Sequence, residues 1–393
     1  MVEKLLLDKL LSRLKSGGLT VTFWDGTTKN YGLEATPKLG IKINDPAVVR
    51  AIGKNVSLGV GESYMDGSME ITGPLEDLIE FGYRNQEAFD IAGGNKLYKK
   101  LARNIKANQP KLISYHYDLG NDFYELWLDK ETLGYTCGYY KKPTDSLEVS
   151  QIQKFDHVLN KLQLDKNKTL LDIGFGWGYL LVRAAERFGV KGTGVSLSKE
   201  QLKFAQQLAK KHGVEKLIDF KLMNYQDLPD LKTQFDRVVS VGFFEHVGQG
   251  NQRTYFDVVN KVLKDGGVSV LHCISQPLEA PMDPWMDKYI FPGTYLPSIR
   301  EVTALLPEYN FQLKDYENIG PHYIPTLYGW WERFEKHKDE IIKMYDERFY
   351  RMWRFYLAAS IASFRQGDIN LSQWVFSKGT RNDWPLTREF LYK

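Results

Sequence analysis

The clearest pattern in the chain is an apolar run that stops at a glycine-rich turn and resumes as an amphipathic helix. Residues 169–173 read as a buried strand, Gly174, Gly176 and Gly178 follow at alternate positions, and residues 179–188 repeat with helical period. Downstream the two periods alternate. Strands are expected at 192–195, 218–222, 237–241 and 267–274, with helices at 199–211 and 252–263. Such a series implies a parallel sheet wrapped by helices, with ligands at the carboxyl ends of the strands. A helix at 146–162 leads into the first strand. Residues 311–317 and 371–376 read as a last antiparallel pair, with aromatic-rich helices at 328–337 and 340–364 between them.

The first 92 residues read differently. Leu6, Leu7, Leu10, Leu11 and Leu14 recur at helical spacing within 3–15, as a helix that packs on its own domain or lies on a membrane surface. Residues 19–32 alternate like a hairpin around Asp25-Gly26. A strand at 38–43, helices at 45–53 and 75–85, and a turn at Ser63-Tyr64-Met65-Asp66-Gly67 complete a small α+β domain. Residues 91–111 carry Lys96, Lys99, Lys100, Arg103, Lys106 and Lys111 without an acid, as a solvated linker or a patch for anionic lipid headgroups. The domains are therefore placed at 1–92 and 112–393, joined by a basic linker at 93–111. Residues 276–298 hold five prolines and are too long for a plain connection, so they read as a cover over a site.

Composition narrows the class. With 52 basic and 49 acidic residues the net charge is +3, which argues against a nucleic-acid partner. Cys137 and Cys273 form no metal-binding spacing, so no metal is expected, and a reducing cytoplasm is the simplest home. No apolar run approaches the roughly 20 residues that span a bilayer, and the first residues lack the features of a signal peptide.

The glycine turn suits a nucleotide or S-adenosylmethionine (SAM). Glycines admit a ligand where a Cβ would collide, and Gly178 opens a helix whose first N–H groups are unpaired. Asp172 can meet a cationic ammonium or simply fix the turn. A dinucleotide site normally has an acid about 20 residues further on. Here Ser196 occupies that place, with Gln201 beyond it, which weakens a nicotinamide reading and leaves hydrogen bonds to a ribose.

Leu171-Asp172-Ile173-Gly174-x-Gly176-Trp177-Gly178, Ser196-Leu197-Ser198-x-x-Gln201 and Ser240-Val241-Gly242-Phe243-Phe244-Glu245-His246-Val247-Gly248 resemble the cyclopropane-fatty-acyl-phospholipid synthases. So do Asp283-Pro284-Trp285 with Ile290-Phe291-Pro292-Gly293, Tyr328-x-Trp330-x-x-Arg333-Phe334, and Gly61-Glu62-Ser63-Tyr64-Met65-Asp66-Gly67. The resemblance implies a class I methyltransferase-like, mostly parallel seven-stranded sheet with helices on both faces, preceded by a small α+β domain. It implies transfer of the SAM methyl to a cis double bond of a phospholipid acyl chain, with a cyclopropane ring closing as a proton is lost to bound bicarbonate.

The SAM residues implied are Tyr135, Thr136, Gly174, Gly176, Ser196, Gln201, Tyr225 and Gln226, beside Asp172 and Gly178 from the turn itself. The bicarbonate cradle implied is Cys137 and Ile274 through their backbone, with Glu245, His272 and Tyr323. A homodimer working peripherally at the inner face of the membrane is implied as well. Relatives often have cysteine where this chain has Ser360, so a cysteine nucleophile there is unavailable. Two rivals stay open: a SAM-dependent methyltransferase of a small amine or another lipid without ring closure, and a non-enzymatic peripheral lipid-binding protein.

Overall fold

A computed structural model describes residues 2–89 and 119–392. The basic stretch at 91–111 lies outside the described residues. The chain forms two compact units: Met1–Arg103 with Met282–Pro292 and Trp330–Asp368, and Asn104–Pro281 with Gly293–Gly329 and Ile369–Lys393.

In the first unit, β1 (Gly18–Thr22), β2 (Thr28–Gly32), β3 (Leu39–Ile43) and β4 (Met69–Thr72) form a sheet in the order β2-β1-β3-β4. The β1–β2 hairpin turns where expected: Gly26 takes a φ of +81°, and the Asp25 carboxylate accepts from the Thr27 amide at 3.1 Å. The helix Val2–Leu11 buries Leu7, Leu10 and Leu11 but leaves Leu6 exposed, so its inner face is narrower than the leucine pattern suggests.

Two expectations are corrected here. Ser63, Tyr64 and Met65 are not a turn; they end the helix Val56–Met65, whose N-cap Asn55 accepts from Leu58 N at 2.9 Å. Its glycines look like loop residues in sequence, yet they are packing positions. A Cβ on Gly59 would stand 2.4 Å from Ile52 N. The second correction concerns 340–364, which forms two helices, Lys338–Met344 and Glu347–Gln366. The break falls where Asp346 caps the second helix by accepting from Phe349 N at 2.6 Å. That second helix packs on Leu75–Arg84 and Val56–Met65 and carries Ser360.

In the second unit, β5 (Thr169–Ile173), β6 (Lys191–Ser196), β7 (Ile218–Leu222), β8 (Phe235–Val241), β9 (Leu263–Ser275), β10 (Phe311–Asn318) and β11 (Asn370–Lys378) build one sheet. The order is β10-β11-β9-β8-β5-β6-β7. The β5–β9 pairs are parallel, and β11 enters antiparallel to both β9 and β10. This is the Rossmann-like class I methyltransferase pattern, with the small α+β region before it. Alternate residues divide between two apolar clusters: Leu271, Cys273 and Trp374 on one face, Val268, Val270 and Val375 on the other.

The strand order reverses between β5 and β8. That reversal opens a crevice at their carboxyl ends, where the glycine turn and the loop after β8 lie. The proline-rich stretch is not a simple cover. Its centre is the helix Pro284–Tyr289, with Trp285 fully buried against Phe355 in the first unit. Among the described residues no helix is long and apolar enough to cross a membrane.

Candidate functional site

The glycine turn has three positive-φ residues, each for a different reason. Gly174 (φ +87°) lies against Phe243, whose ring would be 2.7 Å from an added Cβ. Gly178 (φ +87°) brings the helix Tyr179–Phe188 close to Ala205, 2.6 Å from such a Cβ. A Cβ on Gly176 (φ +56°) would meet nothing within 4 Å among the described residues, so its surroundings there are open to a ligand. Asp172 is buried at the end of β5, and burial lifts its carboxyl to about 7, against the opposing pull of Lys154. Its carboxylate takes no hydrogen bond from the turn among the described residues, so the turn-fixing reading has no bond behind it.

The neighbouring strand ends carry the polar groups expected for a nucleoside. Ser196 Oγ donates to Gln201 Oε1 at 2.9 Å, and the Ser198 amide donates back to Ser196 Oγ at 3.2 Å. Gln226 Nε2 donates to the Tyr225 hydroxyl at 3.3 Å, while Asn224 holds the Gln226 amide at 2.9 Å. A small cleft here is lined by Ser196, Leu197, Met223, Tyr225, Phe243 and His246, together with Val195. Met223, Phe243 and His246 are assigned no place in the site from sequence, although Phe243 and His246 lie in the motif that carries the resemblance. Phe243 packs edge-on to Tyr225 at 5.5 Å.

The second cluster sits at the ends of β8 and β9. Glu245 is 5% exposed, in the single turn Phe244–Val247. Its Oε1 accepts from the Ile274 amide at 2.7 Å, so that N–H is engaged by protein. Its Oε2 is buried and has no partner among the described residues. Burial pushes the Glu245 carboxyl up to about 7. His272 is 1% exposed on β9. Its Nδ1 lies 2.9 Å from Gln373 Nε2, and its Nε2 is buried without a partner among the described residues. Burial lowers its pKa well below the usual value, and Lys154, Lys161 and His157 add to that.

The loop that carries Cys137 is tied to the helix Tyr323–Lys336 through Thr326. Thr326, one turn after Tyr323 in the helix Tyr323–Lys336, accepts from the Gly138 amide at 3.0 Å and donates to His322 O at 2.8 Å. Cys137 is buried, and burial raises its thiol far above the ordinary range, so the thiol is inert. Thr136 joins the clusters: a Cβ on Gly242 would stand 2.7 Å from its methyl group. Tyr135 packs at a tilt to Tyr124 at 5.4 Å and edge-on to Trp127 at 5.3 Å.

What sequence reasoning missed is a polar stripe inside the helix Leu147–Lys161. Ser150, Gln151, Lys154, His157 and Lys161 are all buried. Gln151 Nε2 donates to Thr136 O at 2.7 Å and Lys154 Nζ to Thr136 Oγ1 at 2.8 Å, so the helix fixes the loop that holds Tyr135 to Cys137. The signal was present as polar residues at helical spacing on a face that apolar neighbours flank.

Comparison with known proteins follows from this geometry. The family model described as mycolic acid cyclopropane synthetase matches residues 104–374. One described as a domain of unknown function matches residues 6–91. The chain is 39% identical over 354 residues to the cyclopropane-fatty-acyl-phospholipid synthase of Escherichia coli, covering 88% of this chain and 90% of that protein. It is 32% identical over 385 residues to the tuberculostearic acid methyltransferase of Mycobacterium tuberculosis, covering 91% and 87%. A solved mycolic acid cyclopropane synthase, complexed with SAH and CTAB, superposes with a TM-score of 0.64 at 31% identity, over 68% of this chain and 98% of that one.

Proposed function

This chain belongs to the mycolic acid cyclopropane synthetase family of SAM-dependent, lipid-acting methyltransferases, and we propose that it forms cyclopropane rings in phospholipid acyl chains. In this reading the SAM methyl adds to a cis double bond, leaving a carbocation. The added methyl then loses a proton and the ring closes, a net gain of one CH₂. The observation that carries the reading is a pair of buried atoms without a partner among the described residues, Glu245 Oε2 and His272 Nε2. One needs a donor and the other faces its surroundings unmatched, which costs about 1–3 kcal/mol each. A small ion that both donates and accepts satisfies both, and bicarbonate is such an ion. Bound there, bicarbonate supplies the base for the proton that ring closure releases.

The roles of the chain's own groups follow. Glu245 accepts a hydrogen bond and is itself held in place by Ile274. His272 donates, and Tyr323 and the Cys137 backbone complete the cradle. Because Ile274 already serves Glu245, its contribution is to orient that carboxylate. Gly176 admits SAM at a turn that Gly174 and Gly178 shape, Asp172 meets its ammonium, Ser196 and Gln201 hold the ribose hydroxyls, and Tyr225 and Gln226 border the adenine with Tyr135 and Thr136 beside the methionine end.

A second reading is favoured by the relative described as a tuberculostearic acid methyltransferase: methyl addition to an acyl chain without ring closure. Incubation with SAM and unsaturated phospholipid vesicles separates the two. A cyclopropane and a methylene branch have the same mass, so the lipid product is read by proton NMR. Upfield cyclopropyl signals support ring closure, and vinylidene signals support the second reading. The site of action in this proposal is the bilayer surface on its cytoplasmic side, with the protein as a homodimer. The basic stretch at 91–111 supplies charge for that surface.

A further inference from the structure

His272 and Gln373 are direct register partners on the antiparallel strands β9 and β11, so their side chains share one face of the sheet. Behind Gln373 stands Lys161, fully buried, whose Nζ lies 2.5 Å from Gln373 Oε1 and also donates to Glu317. His157 Nε2 is 2.7 Å from the same Glu317 oxygen. An unbroken polar line therefore runs from His157 through Glu317, Lys161 and Gln373 to His272, the ring whose other nitrogen has no partner among the described residues.

We infer that Lys161 and Gln373 are positioning residues that set the tautomer of His272. An ammonium has no acceptor, so the Gln373 atom facing Lys161 must be the oxygen. The atom facing His272 is then the amide NH₂, which also has no acceptor. Nδ1 must therefore be the bare nitrogen of the ring, and the neutral imidazole carries its proton on Nε2. Glu317 secures the start of the chain. Burial alone would raise its carboxyl, but His157 and Lys161 hold it down at about 2, so it stays anionic beside the ammonium. Burial works against the charge on Lys161, and Glu317 opposes that. The result is a donor at Nε2 across the working pH range, aimed where a neutral ring with the other tautomer would present a lone pair and repel an anion.

The effect on turnover rests on the cradle proposed above, whereas the tautomer itself does not. The first measurement is therefore nitrogen-15 NMR of the full chain with labelled histidine, the His272 signals being identified by their loss in His272→Gln. Nε2-protonated, non-titrating His272 is expected, and an Nδ1-protonated ring overturns the inference. Gln373→Glu places a carboxylate at Nδ1 and should draw the proton there. Turnover should fall about 10–100-fold, the range typical of residues that orient a ligating histidine, with SAM affinity unchanged. Gln373→Met, of similar size and uncharged, should keep Nε2 protonated and lose less activity. If the two variants lose activity equally with an unchanged tautomer, the role is only structural and the inference fails. If Gln373→Glu flips the tautomer while the wild-type rate ignores bicarbonate, the inference stands and the cradle falls.

Discussion

Gly61 faces Trp285 so closely that a Cβ on the glycine would lie 2.3 Å from the indole Cδ1. The contact unites a residue of the leading α+β region with one 224 positions later in the same compact unit. Its neighbours extend the seam. Met65 Sδ takes the Trp285 N–H at 3.3 Å, Glu62 accepts from Tyr289 at 2.8 Å, and Arg354 donates to the Tyr64 hydroxyl at 2.7 Å. Gly61→Ala should therefore destabilise the protein by about 1–3 kcal/mol, the cost of overpacking a filled core. Urea denaturation should show a lower midpoint with unchanged slope. An unchanged midpoint means that the indole yields freely, contrary to its full burial.

The glycine turn offers a separation of stability from binding. At Gly176 an added methyl group meets nothing within 4 Å among the described residues, so Gly176→Ala should cost only the backbone strain of a positive φ, about 1–2 kcal/mol. The methyl occupies space open to a ligand, and SAM affinity by calorimetry should fall at least about tenfold. Gly178→Ala strains the backbone and also drives a methyl into Ala205 and Phe220. Its loss should appear in stability first. Undiminished SAM affinity in Gly176→Ala would remove this turn from the cofactor site.

These contrasts show what was legible in the chain. The sheet was readable because each buried strand is a short apolar run stopped by glycine or polar residues. β5 and β7, and the helices Tyr179–Phe188 and Lys199–Lys211, fall where the pattern puts them. The helix Val56–Met65 was not readable, since its two glycines mimic a loop and only tertiary contacts with Ile52 and Trp285 explain them. The buried polar stripe showed only as polar residues at helical spacing: Lys161 and His157 look like a solvated face until Glu317 and Gln373, more than 150 positions later, supply their partners. Glu245 and His272 drew attention through family resemblance, because a single Glu-His pair and a strand histidine have no distinguishing local pattern.

The basic stretch gives a prediction that depends on charge alone. Each Lys or Arg near an anionic membrane contributes about 1 kcal/mol. Replacing Lys99, Lys100, Arg103 and Lys106 by Gln should weaken sedimentation with anionic vesicles and leave binding to neutral ones little changed. Raising the salt should reproduce the effect on the wild type, because exposed charges are screened beyond about 8 Å at physiological ionic strength. Equal binding of variant and wild type to anionic vesicles would assign the stretch to a plain linker.

Glu245 yields a prediction whose sign follows from its burial. Its carboxyl is raised from 4.5 to about 7 in the folded protein. Between those values the folded state holds a proton that the unfolded state has released. Stability from this group is thus full below about pH 4.5 and is lost as pH rises through about 7. At 1.36 kcal/mol per unit, the loss amounts to at most about 3 kcal/mol. Gln does not titrate, keeps an oxygen for the Ile274 N–H, and leaves a buried NH₂ unmatched at a pH-independent cost of about 1–3 kcal/mol. Glu245→Gln should therefore be less stable than wild type near pH 5, with the gap closing or reversing near pH 8. Asp172, also raised to about 7 by burial, is common to both proteins and cancels in the difference. Added bicarbonate at about pH 8 should stabilise the wild type through binding to the folded state and the variant much less. Turnover should fall sharply in the variant with SAM affinity retained, because the NH₂ that then faces the anion donates and cannot accept its OH. Parallel stability curves from about pH 5 to 8 would mean that Glu245 titrates as an ordinary solvated acid. The buried unmatched oxygen that motivates the anion cradle would then have no energetic counterpart.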